Sequence, residues 1–162
     1  MTGPASDAAA PRQTNRAMIT VVAMMATTVV LTDQTIAAIA LPHMQGGLSV
    51  SQDQISWVMT TYFMAQAVTM AATGWLAGRI GRKQVFILSL CGFTVCAMLS
   101  GNADSLGEIM FCRAFQGVFS APVIPISQAI MLDSYPPEQH GKAVSIWGLG
   151  VIFAPVVSPV IG

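Results

Sequence analysis

The sequence predicts an all-α integral membrane protein with five transmembrane helices. The 162-residue chain is 54% hydrophobic and only 9% charged, a composition unlike that of a soluble domain. Its apolar residues form five long runs, and the links between these runs are short and rich in Gly, Pro, Asn and Ser. Lys and Arg occur in alternate links, which is typical of a chain that crosses a membrane repeatedly.

The first span is predicted at residues 18–41, close to the roughly 20 apolar residues that a helix needs to cross a bilayer. It follows a polar segment, residues 1–16, which we interpret as a disordered cytoplasmic tail, whereas residues 17–162 form one partial transmembrane bundle. A cleaved secretory signal is the alternative, because "AIA" at residues 38–40 has the form of a cleavage site. The length of the run and the four spans that follow favour a membrane helix.

The second span is predicted at residues 55–77, after a link that contains no Lys or Arg. Tyr62, Gln66 and Thr69 recur along it at helical spacing and therefore share one polar face. Together with Gln116 of the fourth span, they are candidates for lining a substrate cavity. The same groups could instead form hydrogen bonds between helices, and the sequence leaves both interpretations open.

The remaining spans are predicted at residues 85–101, 106–132 and 143–162, and Pro122 should bend the fourth of them together with Pro125. Basic residues near span ends stay on the cytoplasmic side. The N-terminus, the second link and the fourth link are therefore predicted to lie inside the cell. The short links predict that successive helices are antiparallel neighbours. The basic residues outside the spans are Arg12, Arg16, Arg79, Arg82, Lys83 and Lys142.

Two charged residues, Asp33 and Arg113, lie within apolar runs. A charge at the centre of a membrane helix costs about 2.5 to 3.5 kcal/mol, so each needs a partner or water. With a rise of about 1.5 Å per residue, Asp33 lies about 13 Å before Pro42, and Arg113 lies about 10 Å beyond Leu106. These similar depths predict that the two side chains face the bundle interior and interact in at least one conformation.

Several other function classes lack support in the sequence. The formal net charge is zero, which gives no argument for a nucleic-acid partner. Cys91, Cys96 and Cys112 lie in apolar stretches without the spacing of metal ligands, so we expect no metal site and no cofactor. We find neither a nucleotide-binding loop nor a nucleophile with a base, so an enzyme is not expected.

The link "GWLAGRIGRK", residues 74–83, resembles the G-x-L-a-D-r-x-G-r-k motif of the major facilitator superfamily. Gly78 stands where most of that superfamily has Asp, so a gating role of that carboxylate is absent here. The glycines are expected to permit close helix approach and tight turning, and the basic residues to hold the link at the cytoplasmic face. The residues of this motif are Gly74, Gly78, Arg79, Gly81, Arg82 and Lys83.

Three further stretches carry the same resemblance. "LTDQTIAAIALP" in the first span is similar to a signature of drug exporters, and "FCRAFQGVFSA" matches the R-x-x-Q-G motif at Arg113, Gln116 and Gly117. "GLGVIFAPVVSPVIG" in the fifth span is similar to the antiporter motif, with small residues at every fourth position and prolines that should bend the helix. The positions of that motif are Gly150, Ala154, Pro155, Ser158, Pro159 and Gly162.

The closest resemblance is to Emr/Qac-type multidrug exporters with fourteen spans. It implies that the five helices form most of the N-terminal six-helix bundle of a major facilitator fold. It also implies a secondary active transporter of the inner (plasma) membrane, which exports hydrophobic or amphipathic drug-like compounds in exchange for protons by alternating access. A periplasmic adaptor and an outer-membrane channel are the implied protein partners.

The resemblance assigns proton exchange to Asp33 and the tuning of that exchange to Arg113. A nearby cation favours the carboxylate, and its withdrawal favours the protonated acid. A static ion pair that only fixes helix packing is the alternative. Because the chain ends within the antiporter motif, a truncated membrane protein that transports nothing, or a regulatory fragment that binds other helices, is the competing interpretation.

Overall fold

The computed structural model describes residues 13–48, 51–103 and 105–161, and the regular elements in these ranges are all helical. Residues 1–12 of the predicted tail lie outside the described ranges, and the first helix begins at Gln13. The described elements are α1 (Gln13–Leu48), α2 (Gln52–Ile80), α3 (Arg82–Gly101), α4 (Leu106–Ser120), α5 (Val123–Ser134), a 3-10 helix (Pro137–Gln139) and α6 (His140–Ile161).

Helix α1 is longer than the sequence predicts. The prediction ended the span at Leu41 because Pro42, Gly46 and Gly47 are common helix breakers. The helix instead continues through all three residues to Leu48. A proline inside a helix removes one backbone hydrogen bond and a glycine only lowers helix propensity, so neither residue ends a helix by itself.

Polar caps fix the starts of α2 and α4. The Ser51 hydroxyl accepts a hydrogen bond from the backbone N–H of Gln54 at 3.3 Å, and the Gln54 side chain accepts one from the Ser51 N–H at 3.0 Å. In the same way, the Ser105 side chain accepts the backbone N–H of Glu108 at 3.3 Å. These caps satisfy N–H groups that have no partner within the helix, so both helices start at defined residues.

The fourth predicted span consists of two helices, because α4 ends at Ser120 and α5 begins at Val123. Pro122 lacks an N–H group and cannot donate to the helical ladder. Ala121 and Pro122 both keep right-handed helical torsions, so the segment continues in the same general direction. The interruption therefore lies at the first of the two prolines that were expected to bend this span.

Three segments are long and apolar enough to cross a membrane by length and composition: Met18–Ala40, Arg82–Gly101 and Leu106–Ser134. They correspond to the first, third and fourth predicted spans. The second and fifth predicted spans, in α2 and α6, are not among the candidates found in the described ranges. Within the described ranges the chain is thus all-helical with three candidate membrane spans, and the total of five remains a proposal.

Most of the extensive helix contacts join helices that are not successive in the chain. The most extensive are between α2 and α4, α3 and α4, α1 and α6, and α1 and α5. Successive helices are close neighbours for α3 and α4, but the contacts of α2 with α1 and with α3 are much smaller. The successive pairs α1–α2 and α2–α3 are thus in contact, as predicted, but less extensively than α2 and α4, because a short link joins helix ends without requiring their side chains to interdigitate.

A central cluster holds α1, α3 and α5 together. Its buried members include Val30 from α1, Phe93 from α3 and Ile126 from α5. By contrast, large apolar side chains such as Val68 and Phe111 are exposed on the periphery. Apolar exposure of this extent suits a surface that faces lipid.

Candidate functional site

An ion pair joins α1 to α4. Nη1 of Arg113 donates to Oδ2 of Asp33 at 2.8 Å, and the two side chains are only 16% and 22% exposed, respectively. The helix-rise estimate placed these residues at similar depths, and the structure brings them into direct contact. Their role in proton coupling stays a prediction, because an ion pair of this geometry is also compatible with a purely structural function.

Gln116 completes the ion pair from one helical turn further along α4. Its Nε2 group donates to the same Oδ2 atom of Asp33 at 3.1 Å. The Gln116 side chain is fully buried, and its Oε1 atom has no hydrogen-bond partner among the described residues. Asp33 therefore accepts from a guanidinium and from an amide through one carboxylate oxygen.

A second polar contact lies beside the first and was not identified from the sequence. Nε2 of Gln34, the residue after Asp33, donates to the Tyr62 hydroxyl at 3.1 Å. This contact links α1 to α2, while Asp33 links α1 to α4. The signal in the sequence was a second polar residue within an apolar run, which should have prompted a search for its partner on another helix.

Gly117 explains why α2 and α4 come so close. A Cβ atom at residue 117 would lie 3.1 Å from the carbonyl carbon of Tyr62 and closer still to its oxygen, and 3.2 Å from the Cβ of Ala65. Real Cβ atoms do not make such contacts with a backbone, so residue 117 must be glycine for α2 and α4 to pack as they do. The R-x-x-Q-G pattern thus combines two polar groups with the glycine that brings their helix against α2.

The residues proposed to line a substrate cavity fall into two groups. Tyr62 and Gln116 are buried where α2, α4 and α1 meet, so in this conformation they serve contacts between helices. Gln66 and Thr69 are partly exposed on α2. For Tyr62 and Gln116 the structure favours hydrogen bonds between helices. Gln66 and Thr69 are exposed enough that they could also contact a substrate.

The link between α2 and α3, which the sequence predicts to be cytoplasmic, is a turn of one residue. Gly81 has a φ of 102°, a conformation that side chains rarely tolerate, and it separates the last residue of α2 from the first of α3. By contrast, a Cβ atom at Gly74 or Gly78 would meet no atom of the described chain within 4 Å. The expected tight turning is confirmed at Gly81, whereas the expected close helix approach is absent at Gly74 and Gly78.

The basic residues of this link have separate partners. Arg82 forms an exposed ion pair with Asp133 at the end of α5. The Arg79 guanidinium lies over the ring of Trp75, 5.3 Å from its centroid. Lys83 is exposed.

A groove of about 350 Å³ lies between α2 and α5, lined by Gly74, Gly78, Arg82, Pro125 and neighbouring apolar residues.

The antiporter-like motif is described only in part. A Cβ atom at Gly150 would collide with the terminal methyl group of Met24, which places this position of α6 directly against α1. The helix continues without interruption through the positions of both prolines to Ile161. The side chains of Ala154, Pro155, Ser158 and Pro159 lie outside the description, as does Gly162 altogether.

Comparison with known proteins gives a family match over most of the chain. The sequence profile described as "Major Facilitator Superfamily" matches residues 23–162. The chain is 39% identical over 145 residues to "Multidrug export protein EmrB" of Haemophilus influenzae, which covers 90% of this chain and 28% of that protein. The protein of the same name from Escherichia coli is 36% identical over the same length and coverage.

A third relative carries a different name. "Fatty acid resistance protein FarB" of Neisseria gonorrhoeae is 38% identical over 130 residues, which covers 80% of this chain and 26% of that protein. The chain therefore spans just over a quarter of the length of each of these relatives.

Proposed function

The chain belongs to the Major Facilitator Superfamily, and on that premise we propose that it supplies the first helices of a proton-coupled multidrug exporter. The observation that carries the proposal is the contact of Asp33 with Arg113 and Gln116 between α1 and α4. An ionisable side chain held at membrane depth is costly, and such residues commonly mark the path of an ion or proton. The names of the relatives, two of them multidrug export proteins, support the assignment of this path to drug export.

The ion pair provides a physical basis for coupling to protons. In this conformation Arg113 lies 2.8 Å from Asp33, so the guanidinium compensates the charge of the partly buried carboxylate. If rocking of the bundle withdraws the guanidinium, the carboxylate is left partly desolvated, and uptake of a proton then lowers its free energy. Alternating access would expose Asp33 to opposite sides of the membrane in its two protonation states.

The proposal includes five membrane crossings. Helix α2, with 29 residues, and helix α6, with 22 residues, are about 43 Å and 33 Å long at the usual rise, enough to cross the hydrocarbon core. If α1 crosses outward and α3 starts at the basic link beside Arg82, α2 must bring the chain back across the membrane. The positions of the basic residues support a cytoplasmic N-terminus, and the family match supports the inner (plasma) membrane.

Substrates and partners of the complete transporter are part of the same proposal. We expect amphipathic or hydrophobic compounds, because one relative is named for fatty acid resistance and two for multidrug export. In bacteria with two membranes, a periplasmic adaptor and an outer-membrane channel would carry the compound onward. No nucleic-acid partner is expected.

Transport by everted membrane vesicles that contain the product of the intact gene tests the proposal. Uptake of a fluorescent amphipathic dye is measured with an imposed pH gradient, and again after an ionophore has collapsed the gradient. The wild type should accumulate dye only with the gradient, and Asp33→Asn should abolish this uptake at an equal protein level. Asp53→Asn is the matched control, since Asp53 is exposed in the first turn of α2.

The outcomes separate the parts of the proposal. Wild-type vesicles that accumulate no dye across a panel of hydrophobic compounds would contradict the assignment as an exporter and support the non-transporting alternative. Gradient-driven uptake that persists in Asp33→Asn would contradict only the role of Asp33.

A further inference from the structure

Gln116 has an unusual combination of properties at the Asp33 site. Its side chain is 0% exposed, its Nε2 atom lies 3.1 Å from Oδ2 of Asp33, and its Oε1 atom has no partner in the described part of the chain. A buried acceptor without a hydrogen bond is costly and is uncommon in folded proteins. The same amide thus donates to Asp33 while its own oxygen atom accepts no hydrogen bond from the described residues.

The protonated form of Asp33 would need a hydrogen-bond acceptor, and the Oε1 atom of Gln116 is an acceptor without a partner among the described residues. An ionised carboxylate only accepts hydrogen bonds, whereas a protonated carboxyl also carries one O–H donor. Arg113 has donors only and cannot accept that hydrogen. The Tyr62 hydroxyl, which faces this region from α2, accepts a hydrogen bond from the Gln34 amide, and no hydrogen bond joins it to Asp33 in the described part of the chain.

The other helices that pack against α1 bring no charged group to this level. On α2 and α4 the other charged groups lie toward the helix ends: Asp53, Arg79 and Glu108. The charged residue of α5 is Asp133, which pairs with Arg82, and the titratable groups of α6 are His140 and Lys142 near the start of the helix. Thr20 of α1 contacts Tyr135 at that same end of the bundle, and Asp33 lies about 20 Å further along α1 at the usual helix rise. Gln116 already contacts Asp33 and has an acceptor atom without a partner among the described residues, which makes it the candidate acceptor for a proton on Asp33.

We propose that Gln116 is a positioning residue that turns its amide over when Asp33 takes up a proton, so that Oε1 accepts the new O–H group. The proposal rests on the proposed function, because it requires Asp33 to gain and lose a proton. The proton comes from water on the side of the membrane to which the site is open and forms an O–H bond with a carboxylate oxygen. Rotation of the amide moves no proton and breaks no covalent bond.

The burial of Gln116 suits this role. The NH₂ group and the oxygen of an amide are of similar size, so a half-turn about the last side-chain bond exchanges them within the same space. With Asp33 ionised, the amide donates to it, as the structure has it. With Asp33 protonated, the turned amide accepts from it, so one side chain provides a partner in both states.

Infrared difference spectroscopy of the membrane-embedded product of the intact gene tests this directly. A pH step from alkaline to acid produces the carbonyl stretch of each newly protonated carboxyl, and the band of Asp33 is the one missing from Asp33→Asn. In Gln116→Leu the Asp33 O–H loses its acceptor, so its carbonyl stretch should move to higher wavenumber. Gln66→Leu, a partly exposed glutamine on α2, is the matched control and should leave the band in place.

A second variant guards against misfolding. Gln116→Met keeps an unbranched side chain of similar length without the amide, and it should shift the band in the same direction. Melting curves identify whichever variant retains the fold, and the band is compared in that protein. An Asp33 band at the wild-type wavenumber in a folded Gln116 variant would overturn the proposal.

The same spectra separate proton exchange by Asp33 from the positioning role of Gln116. If no band depends on Asp33 at any pH, Asp33 does not take up a proton, and the proposed coupling fails together with the role of Gln116. If the band is present but insensitive to Gln116, only the positioning role fails and proton exchange by Asp33 stands.

Discussion

The backbone of Gly117 in α4 lies directly against the backbone carbonyl of Tyr62 in α2, with no room for a side chain between them. The polar site depends on this contact. It sets how near the face of α4 that carries Arg113 and Gln116 can come to α1 and α2.

Gly117→Ala should separate α2 from α4. The added methyl group meets backbone rather than a flexible side chain, so the helices must move apart, at a cost of about 1–3 kcal/mol in the free energy of unfolding. Thermal melting in mild detergent measures the loss. Gly107→Ala in the same helix is the control, since its Cβ would meet no described atom within 4 Å. Equal melting temperatures for the two variants would contradict the close approach.

The Asp33–Arg113 pair should show strong coupling in a double-mutant cycle. Either Asp33→Asn or Arg113→Gln alone leaves a partly buried charge without its partner, whereas the double variant removes both charges. We expect a coupling energy of about 1–3 kcal/mol from denaturant unfolding in mixed micelles.

The Arg82–Asp133 pair serves as the matched control for that cycle. Its side chains are 51% and 64% exposed, so solvent screens the interaction and the coupling should stay below about 1 kcal/mol and fall with added salt. Similar coupling energies for the two pairs would show that burial does not strengthen the Asp33 contact.

Gly81→Ala should strain the turn between α2 and α3. A φ of 102° is costly for any residue with a Cβ, and the penalty for such a conformation is about 1–3 kcal/mol. Gly78→Ala, three residues earlier, has open space around it and favourable helix propensity, so it should be neutral or slightly stabilising. Melting temperatures of both variants decide, and a neutral Gly81→Ala would argue against the positive φ.

Single cysteines should map the crossings of α2 and of the α4–α5 segment. In a background with Cys91, Cys96 and Cys112 replaced by Ala, a membrane-impermeant maleimide is applied to right-side-out and inside-out vesicles. Cysteines at the two outer positions should react in the first and those at the two inner positions in the second, because α2 and the α4–α5 segment each reverse the side. The outer positions are Ser51 and Ser105, and the inner positions are Lys83 and Gln139.

One labelling result would contradict the expected pattern. If residues 51 and 83 react from the same side, α2 does not cross the membrane, and the proposal of five spans must be revised.

The contact of Asp33 with Arg113 could be predicted from the sequence because helix rise is nearly constant. Counting residues from each predicted outer boundary, Pro42 and Leu106, gave similar depths for the two side chains. The end of α1 itself was misjudged, since Pro42 and two glycines are weaker helix breakers than their frequency in turns suggests. The interruption at Pro122 was predictable, because a missing N–H group has a local effect.

The helix partners could not be predicted in the same way. Which faces meet depends on the summed fit of side chains that are distant in sequence, as at Gly117 and Tyr62. Gln34 was overlooked for a related reason, because its significance lies in a hydroxyl group on another helix. Patterns within one helix therefore carried the prediction of elements, whereas pairing between helices required coordinates.

The single-residue link at Gly81 has a consequence for the rotational setting of α3. Successive residues of a helix point about 100° apart, so the residue at which α3 starts decides which of its faces meets α1 and α5. Because only one residue separates α2 from α3, the link is too short to allow α3 to rotate about its axis independently of α2. The turn therefore fixes the rotation of α3 about its own axis, with Phe93 in the central cluster and Leu99 at the periphery.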